Sequence, residues 1–219
     1  MFPISDVIPS RTTPVVTMAL IALNVLLFMY QVWLDDDAVR GLVLEYGVVP
    51  ATLAVPDLVT SLFLHGDGIH LVLNMLFLWI FGDNVEDRLG HGRYLGFYLA
   101  AGVIGALAQV AAAPASRVPM IGASGAVAGV MGAYFLLYPR SRVLTAVFLL
   151  VFLDVIEIPA IFFLGVWFLL QVVYGATSSA QGSTAFWAHA AGFASGALVG
   201  AWLRTRERAW RDYWRGVGS

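Results

Sequence analysis

A chain of 219 residues that is 60% hydrophobic and only 12% charged, with a mean hydropathy of +0.82, carries about half the charge of a water-soluble domain. That excludes an ordinary soluble enzyme and makes the bilayer the first solvent to consider, because several runs are long enough to cross about 30 Å of hydrocarbon as helices. Cysteine is absent, which excludes disulfides, thiolate catalysis and Cys-based metal sites; the net charge of −2 averages over loops and says little of partners.

The first fourteen residues are polar and proline-punctuated, with one Arg and no small-residue cleavage site after the apolar run that follows. No removable signal peptide is expected, so that run, Val15 to Leu34, is read as a retained first span ended by Asp35, Asp36 and Asp37. A mixed segment continues to about Val59 with Gly47, Pro50 and Pro56, and a partly membrane-embedded loop is expected there. The second span runs from about Ile69 to Phe81 and stops at a charged turn from Gly82 to Arg88. The third covers Tyr94 to Ala113 and breaks at Pro114. The fourth, Gly122 to Leu137, holds 16 residues, about 24 Å of helix, so its Gly-rich start is expected below the membrane surface. Val143 to Ile158 contains Asp154 and Glu157 and meets Pro159, the pattern of a short interfacial or re-entrant piece. The fifth span is Pro159 to Tyr174 and the sixth Ala185 to Leu203, joined by an uncharged stretch, Gly175 to Phe186, that is expected to cap or gate the site.

The prediction is an all-α fold: a polytopic membrane bundle of six transmembrane helices over residues 15–203. A short cytoplasmic N-terminal segment (1–14) and an Arg-rich cytoplasmic tail (204–219) flank it. Six spans put both termini on one side. All twelve basic residues are arginine. With the N-terminus inside, Arg11, Arg88, Arg93, Arg140, Arg142 and the tail's Arg204, Arg206, Arg208, Arg211 and Arg215 are cytoplasmic, and only Arg40 and Arg117 lie outside. The tail reads as retention charge beside anionic lipid, and no nucleic-acid partner is expected.

Polar groups inside spans are costly and point to function. This topology brings three sets to the outer half of the bilayer. They are Gly122-Ala123-Ser124-Gly125 at the start of the fourth span, His189 about a turn into the sixth, and His70 with Asn74 in the second. The last two are four residues apart and share a helical face. Gly192, Gly196 and Gly200 fall within about 60° of His189 around the helix. With Gly125, Ala128, Gly129 and Gly132 on the fourth span they form two small-residue seams that can pack closely. Such packing would bring the Ser124 hydroxyl to an imidazole nitrogen. A serine needs an adjacent base, and His189, with an unperturbed pKa near 6.5, suits that task. The Ser124 N–H at a helix start favours developing negative charge, and His70 and Asn74 would add donors to complete an oxyanion hole.

Each element alone is weak. Small-x-Ser-Gly recurs by chance in Ala/Gly-rich spans, a lone intramembrane His is often only a packing residue, and His65 reads as a loop histidine. Their common depth favours a site. No carboxylate joins them: Asp67 in the preceding loop is a remote candidate for orienting a histidine, and Asp154 and Glu157 fall on the cytoplasmic side. The expectation is a dyad.

At these residues the sequence resembles the rhomboid family of intramembrane serine proteases, over about Leu53 to Trp202. His70-Leu-Val-Leu-Asn74 matches the family's H-x-x-x-N, Gly122-Ala-Ser124-Gly125 its G-x-S-G, and Glu86-Asp-Arg88 its E-x-R. Ala188-His189-Ala-Ala-Gly192-Phe-Ala-Ser-Gly196 matches A-H-x-x-G-x-x-x-G. The resemblance implies Ser124 as nucleophile and His189 as general base, with His70, Asn74 and the Ser124 amide holding the oxyanion and Glu86 and Arg88 structural. It implies no cofactor and no metal. Single-span or polytopic membrane proteins in the lipid bilayer would be the substrates, and the location a bacterial or archaeal plasma (inner) membrane. Two positions depart from the pattern. The first-loop Trp-Arg pair is missing, since Arg40 follows Val39 and Trp33 stands alone, so loop anchoring differs. An aromatic four residues after the nucleophile is replaced by Ala128, which leaves His189 to be oriented by other contacts. The main alternative is a catalytically silent relative that binds membrane clients; the intact Ser124 and His189 argue against it. A small transporter would show internal repeats, and none is found. Zinc and aspartyl protease motifs are missing as well.

Overall fold

In hydrocarbon a backbone must satisfy its own hydrogen bonds, so uncharged apolar runs become helices. The computed structural model describes residues 2–149, 152–177 and 185–217. In chain order its elements are strand β1 (Phe2–Asp6) and helices α1 (Val15–Trp33), α2 (Asp36–Tyr46), α3 (Asp57–Thr60), α4 (Gly68–Leu89), α5 (His91–Ala112) and α6 (Ser124–Leu137). Strands β2 (Arg142–Leu149) and β3 (Phe152–Pro159) follow, then α7 (Ala160–Thr177) and α8 (Phe186–Val217). The six expected spans correspond to α1, α4, α5, α6, α7 and the first part of α8. Among the described residues α1, α4, α5 and α7 are long and apolar enough to cross a membrane, and α6 is a shorter apolar helix. The architecture is an all-α membrane bundle with one small sheet at its end.

Three segments differ from the sequence expectation. The stretch after α1, expected as a partly membrane-embedded loop, is in part helical. Asp35 accepts from Ala38 N at 2.8 Å and starts α2, and acidic residues in a first helical turn favour the helix. The residues from Gly82 to Arg88 are not a turn: α4 continues through them to Leu89 and stops at Gly90, whose φ of +77° ends the helix. They stay helical because the N-terminal segment lies against them and takes up their carboxylates. Ser10 bonds to Asp83, and Asp87 accepts from Arg11 N at 2.6 Å and Thr12 N at 3.0 Å. Glu86, 1% exposed, accepts from Val16 N (2.9 Å), Thr17 N (2.8 Å) and the Thr17 hydroxyl (2.7 Å), and so caps the start of α1. Arg88 pairs with Glu207 on α8 instead of with Glu86.

The third difference is the piece after α6, a β-hairpin. Its Val-, Ile- and Thr-rich strands favour a pleated surface, and β1 adds to β2 to give an antiparallel sheet in the order β1-β2-β3. Arg142 bonds Glu157 across it at 2.7 Å, and Asp154 accepts from Val155 N at 2.8 Å. The sheet is fastened to the bundle where the Tyr134 hydroxyl donates to Asp6 at 2.5 Å. Helix α8 runs on to Val217, and Arg204 donates to the Leu136 carbonyl at the end of α6 at 3.0 Å.

The core sits on α6, whose residues from Gly125 to Tyr134 are all buried. Helices α4, α6 and α8 run parallel. Helices α6 and α8 touch backbone to backbone: a Cβ on Gly192 would lie 2.1 Å from the Gly125 carbonyl oxygen, and one on Gly196 1.8 Å from that of Gly129. Gly132 abuts the Phe193 carbonyl in the same way, at 2.0 Å. Lateral faces stay apolar and exposed, as at Leu26, Phe162 and Leu198, which suits lipid as the surrounding medium.

Two outcomes are expected. Gly196→Ala should cost about 1–3 kcal/mol through overpacking, and Gly192→Val or Gly196→Val more, read as a lowered Tm in detergent; a wild-type Tm in all three would refute backbone contact. Glu86→Ala leaves the Val16 and Thr17 amides without their acceptor and should cost about 1–3 kcal/mol, measured the same way.

Candidate active site

The loop before α6 is held as an edge. Val48 and Met120 exchange backbone hydrogen bonds at 3.0 and 2.8 Å, and Gly122 N donates to Ser61 O at 2.9 Å. Gly122 then takes a φ of +122°, a conformation that glycine adopts at little cost. The chain turns there, and Ser124 becomes the first residue of α6. On the neighbouring α8 the glycine contacts bring His189, in the first turn, alongside. Ser124 Oγ lies 2.7 Å from His189 Nε2.

His70 and Asn74 approach from α4. A Cβ on Gly122 would meet His70 Cε1 at 2.6 Å and Nε2 at 2.8 Å, with Asn74 Nδ2 at 3.8 Å. Gly122 is therefore a backbone position where both side chains close on the serine loop, and a side chain there would displace the His70 ring. Asn74 is buried, and its Nδ2 has no hydrogen-bond partner among the described residues. A buried unpaired donor calls for a reason. His70, Asn74, Ser124 and His189 all line one cleft of about 470 Å3, with Phe77, Met131 and Trp167 among its apolar walls.

The electrostatics follow from helix direction. Ser124, His70 and His189 stand in the first turns of α6, α4 and α8. Three parallel helices thus turn their N-terminal ends, with their partial positive charge, toward one cleft. A hydroxyl beside an imidazole acceptor, facing unpaired donors, can in chemical terms release a proton and have the resulting negative charge stabilised.

Other residues raised by the sequence take supporting places. Asp67 does not orient a histidine ring; it caps α4 by accepting from His70 N at 2.8 Å. His65 is a loop residue, 1% exposed, whose backbone N–H and carbonyl bond the Gln31 amide at 3.1 Å each. Its ring stands edge-on to His70 at 5.2 Å, and burial pushes its pKa down to about 4, so it is neutral. Ala128 is fully buried. Of the stretch expected to gate the site, residues 178–184 lie outside the described residues. Residues not singled out in the sequence also matter. Gln171 on α7 meets His189 Nδ1 at 2.8 Å, and Trp167 lies 6.0 Å from the imidazole between ring centres. On α1, buried Thr17, Asn24 and Gln31 face the bundle. The signals were present: Gln171 is the one amide in an otherwise apolar span, and the three α1 residues are seven apart and so share a face.

Comparison with known proteins agrees with this geometry. A profile of the Rhomboid domain matches residues 54–206, which includes all four candidate residues. The chain is 32% identical over 152 residues to the mitochondrial Rhomboid protein 1 of Saccharomyces cerevisiae, covering 66% of this chain and 40% of that protein. It is 35% identical over 124 residues to rhomboid protease GluP of Bacillus subtilis, covering 55% and 24%. Over 198 residues it is 28% identical to the mitochondrial presenilin-associated rhomboid-like protein of Bos taurus, covering 88% and 49%. It spans less than half the length of each of these three. Fold, motif positions and profile agree, and the chain belongs to the rhomboid family.

Proposed function

We propose that the protein is an intramembrane serine endopeptidase that hydrolyses peptide bonds in or beside the transmembrane segment of other membrane proteins. The observation that carries this reading is the 2.7 Å contact between Ser124 Oγ and His189 Nε2 inside a cleft. Ser124 Oγ attacks the scissile carbonyl carbon while His189 Nε2 takes its proton. The carbonyl oxygen becomes negative and is held by Asn74 Nδ2, His70 and the Ser124 N–H. His189 then returns the proton to the leaving amine, and an acyl-enzyme forms on Ser124. Water, deprotonated by His189, attacks that ester and releases the acid. The Asn74 donor supports the oxyanion assignment, because a tetrahedral intermediate supplies the acceptor that it lacks among the described residues.

A helical substrate hides its scissile bond, so substrates with small or helix-breaking residues near one end of their span are favoured. The arginine distribution supports an orientation with both termini cytoplasmic and the cleft at the outer face of the membrane.

Labelling detergent-solubilised protein with a fluorophosphonate and locating the adduct by mass spectrometry tests the nucleophile. The expected site is Ser124; no adduct there would favour a silent client-binding protein. Ser124→Ala and His189→Ala are expected to abolish cleavage of a model transmembrane substrate while leaving the fold intact, and substantial turnover by both variants would refute the dyad.

Asn74→Ala should slow turnover by about 100- to 1000-fold with little change in substrate binding. His70→Ala should behave similarly, and the double variant should be less than additive if both serve one oxygen. An unchanged rate per titrated active site, together with a lowered Tm, would leave Asn74 only a packing role.

A further inference from the structure

His189 presents its two ring nitrogens to two different helices. Nε2 faces Ser124 Oγ on α6 at 2.7 Å, and Nδ1 faces Oε1 of Gln171 on α7 at 2.8 Å. A neutral imidazole carries one proton, so these two contacts together select the tautomer. An amide oxygen can only accept, which puts the proton on Nδ1 and leaves the Nε2 lone pair toward the serine hydroxyl. That is the form a general base needs.

We infer that Gln171 is a positioning residue that holds His189 in its Nδ1–H tautomer with Nε2 aimed at Ser124. Its consequence for rate rests on the proteolytic reading above; its consequence for the tautomer does not. Helix α7 contains no charged residue and no other amide, so a Gln placed there is costly unless it is paired. The ionisable groups around the same cleft are His70 and Asp67, and Asp67 is engaged by the His70 backbone N–H. Position 128, on the helix of the serine, offers only a methyl group. Trp167, one turn before Gln171 and on the same face of α7, supplies the ring contact at 6.0 Å. The base is thus held from α7 by two residues a turn apart. An amide does this without bringing a second charge into the bundle, where an ion pair would carry a heavy desolvation penalty. Only 11% of the α7 span is buried, so alignment of the base depends on how the most lipid-exposed of these spans docks.

The test uses the full-length protein in detergent with 15N-labelled histidine, the His189 signals being identified by difference with His189→Ala. Wild type is expected to show the Nδ1–H tautomer, and Gln171→Leu a shift toward Nε2–H. In Gln171→Leu, kcat and the fluorophosphonate labelling rate at Ser124 should fall about 10- to 100-fold, a part of what a positioned base contributes, with KM nearly unchanged. Gln171→Glu should recover much of the rate and move the acid limb of the pH–rate profile to higher pH, because a carboxylate at Nδ1 favours the imidazolium. A wild-type Nε2–H tautomer would overturn the inference, since the amide would then be turned to donate. So would a tautomer and labelling rate unaffected in Gln171→Leu, or equal losses in the Leu and Glu variants that track Tm alone. If wild type neither labels nor cleaves while the tautomer still follows residue 171, the proteolytic reading fails and the assignment of Gln171 stands.

Discussion

The close approach of α6 and α8 is the constraint on which the rest of the structure depends. Two helices can bring backbone against backbone only where side chains are missing, and Gly125, Gly129, Gly132, Gly192 and Gly196 supply that gap. In water, burial of large apolar side chains would drive such an association. Within lipid that driving force is absent, and tight van der Waals contact takes its place. The same contact sets the separation between the first turns of the two helices, and with it the hydrogen bond between Ser124 and His189. Stability and site geometry therefore share one cause.

The two ends of the bundle solve opposite problems. At one end Asp83, Glu86 and Asp87 at the close of α4 are taken up by backbone and hydroxyl donors of residues 10–17, and the sheet is tied on through Asp6 and Tyr134. Buried carboxylates are tolerable only when hydrogen-bonded, and here the bonds also fix α1 against α4. At the other end the polar groups remain partly unpaired. Among the described residues Asn74 Nδ2 has no partner, and the first turns of three parallel helices converge on the cleft. The bonds at the first end give rigidity, and the Asn74 donor at the second is ready for a ligand that carries negative charge.

Helix α1 shows how polar residues can be structural inside a membrane. Thr17 bonds Glu86, Asn24 bonds its own helix at Leu20 O (2.8 Å), and Gln31 bonds both backbone groups of His65. The last contact fixes the loop that leads into α4, and hence the place of His70. Helix α7 is the counterpart, mostly lipid-exposed and joined to the site through Trp167 and Gln171.

The sequence by itself indicated the spans, their order and four of the residues that line the cleft. Hydropathy separates lipid-facing runs from loops, small residues mark close packing, and a polar group in hydrocarbon stands out. His70, Asn74, Ser124 and His189 were legible for that reason, as was the glycine seam. What only the tertiary structure decided is which polar groups find each other. Glu86 was legible only as a structural residue near Arg88, yet it is buried under the start of α1, about seventy residues away in sequence. The residues from Gly82 to Arg88 looked like a turn, because their composition does not reveal that the N-terminal segment will bind their carboxylates. The segment from Val143 to Ile158 looked like an interfacial piece because alternation along one strand cannot show that β1 will pair beside it. Gln171 stands out as the one amide of its span, but the chain does not name the group it bonds. Its partner, His189, lies on another helix, and hydrogen bonds between distant segments leave no periodicity in the chain that makes them.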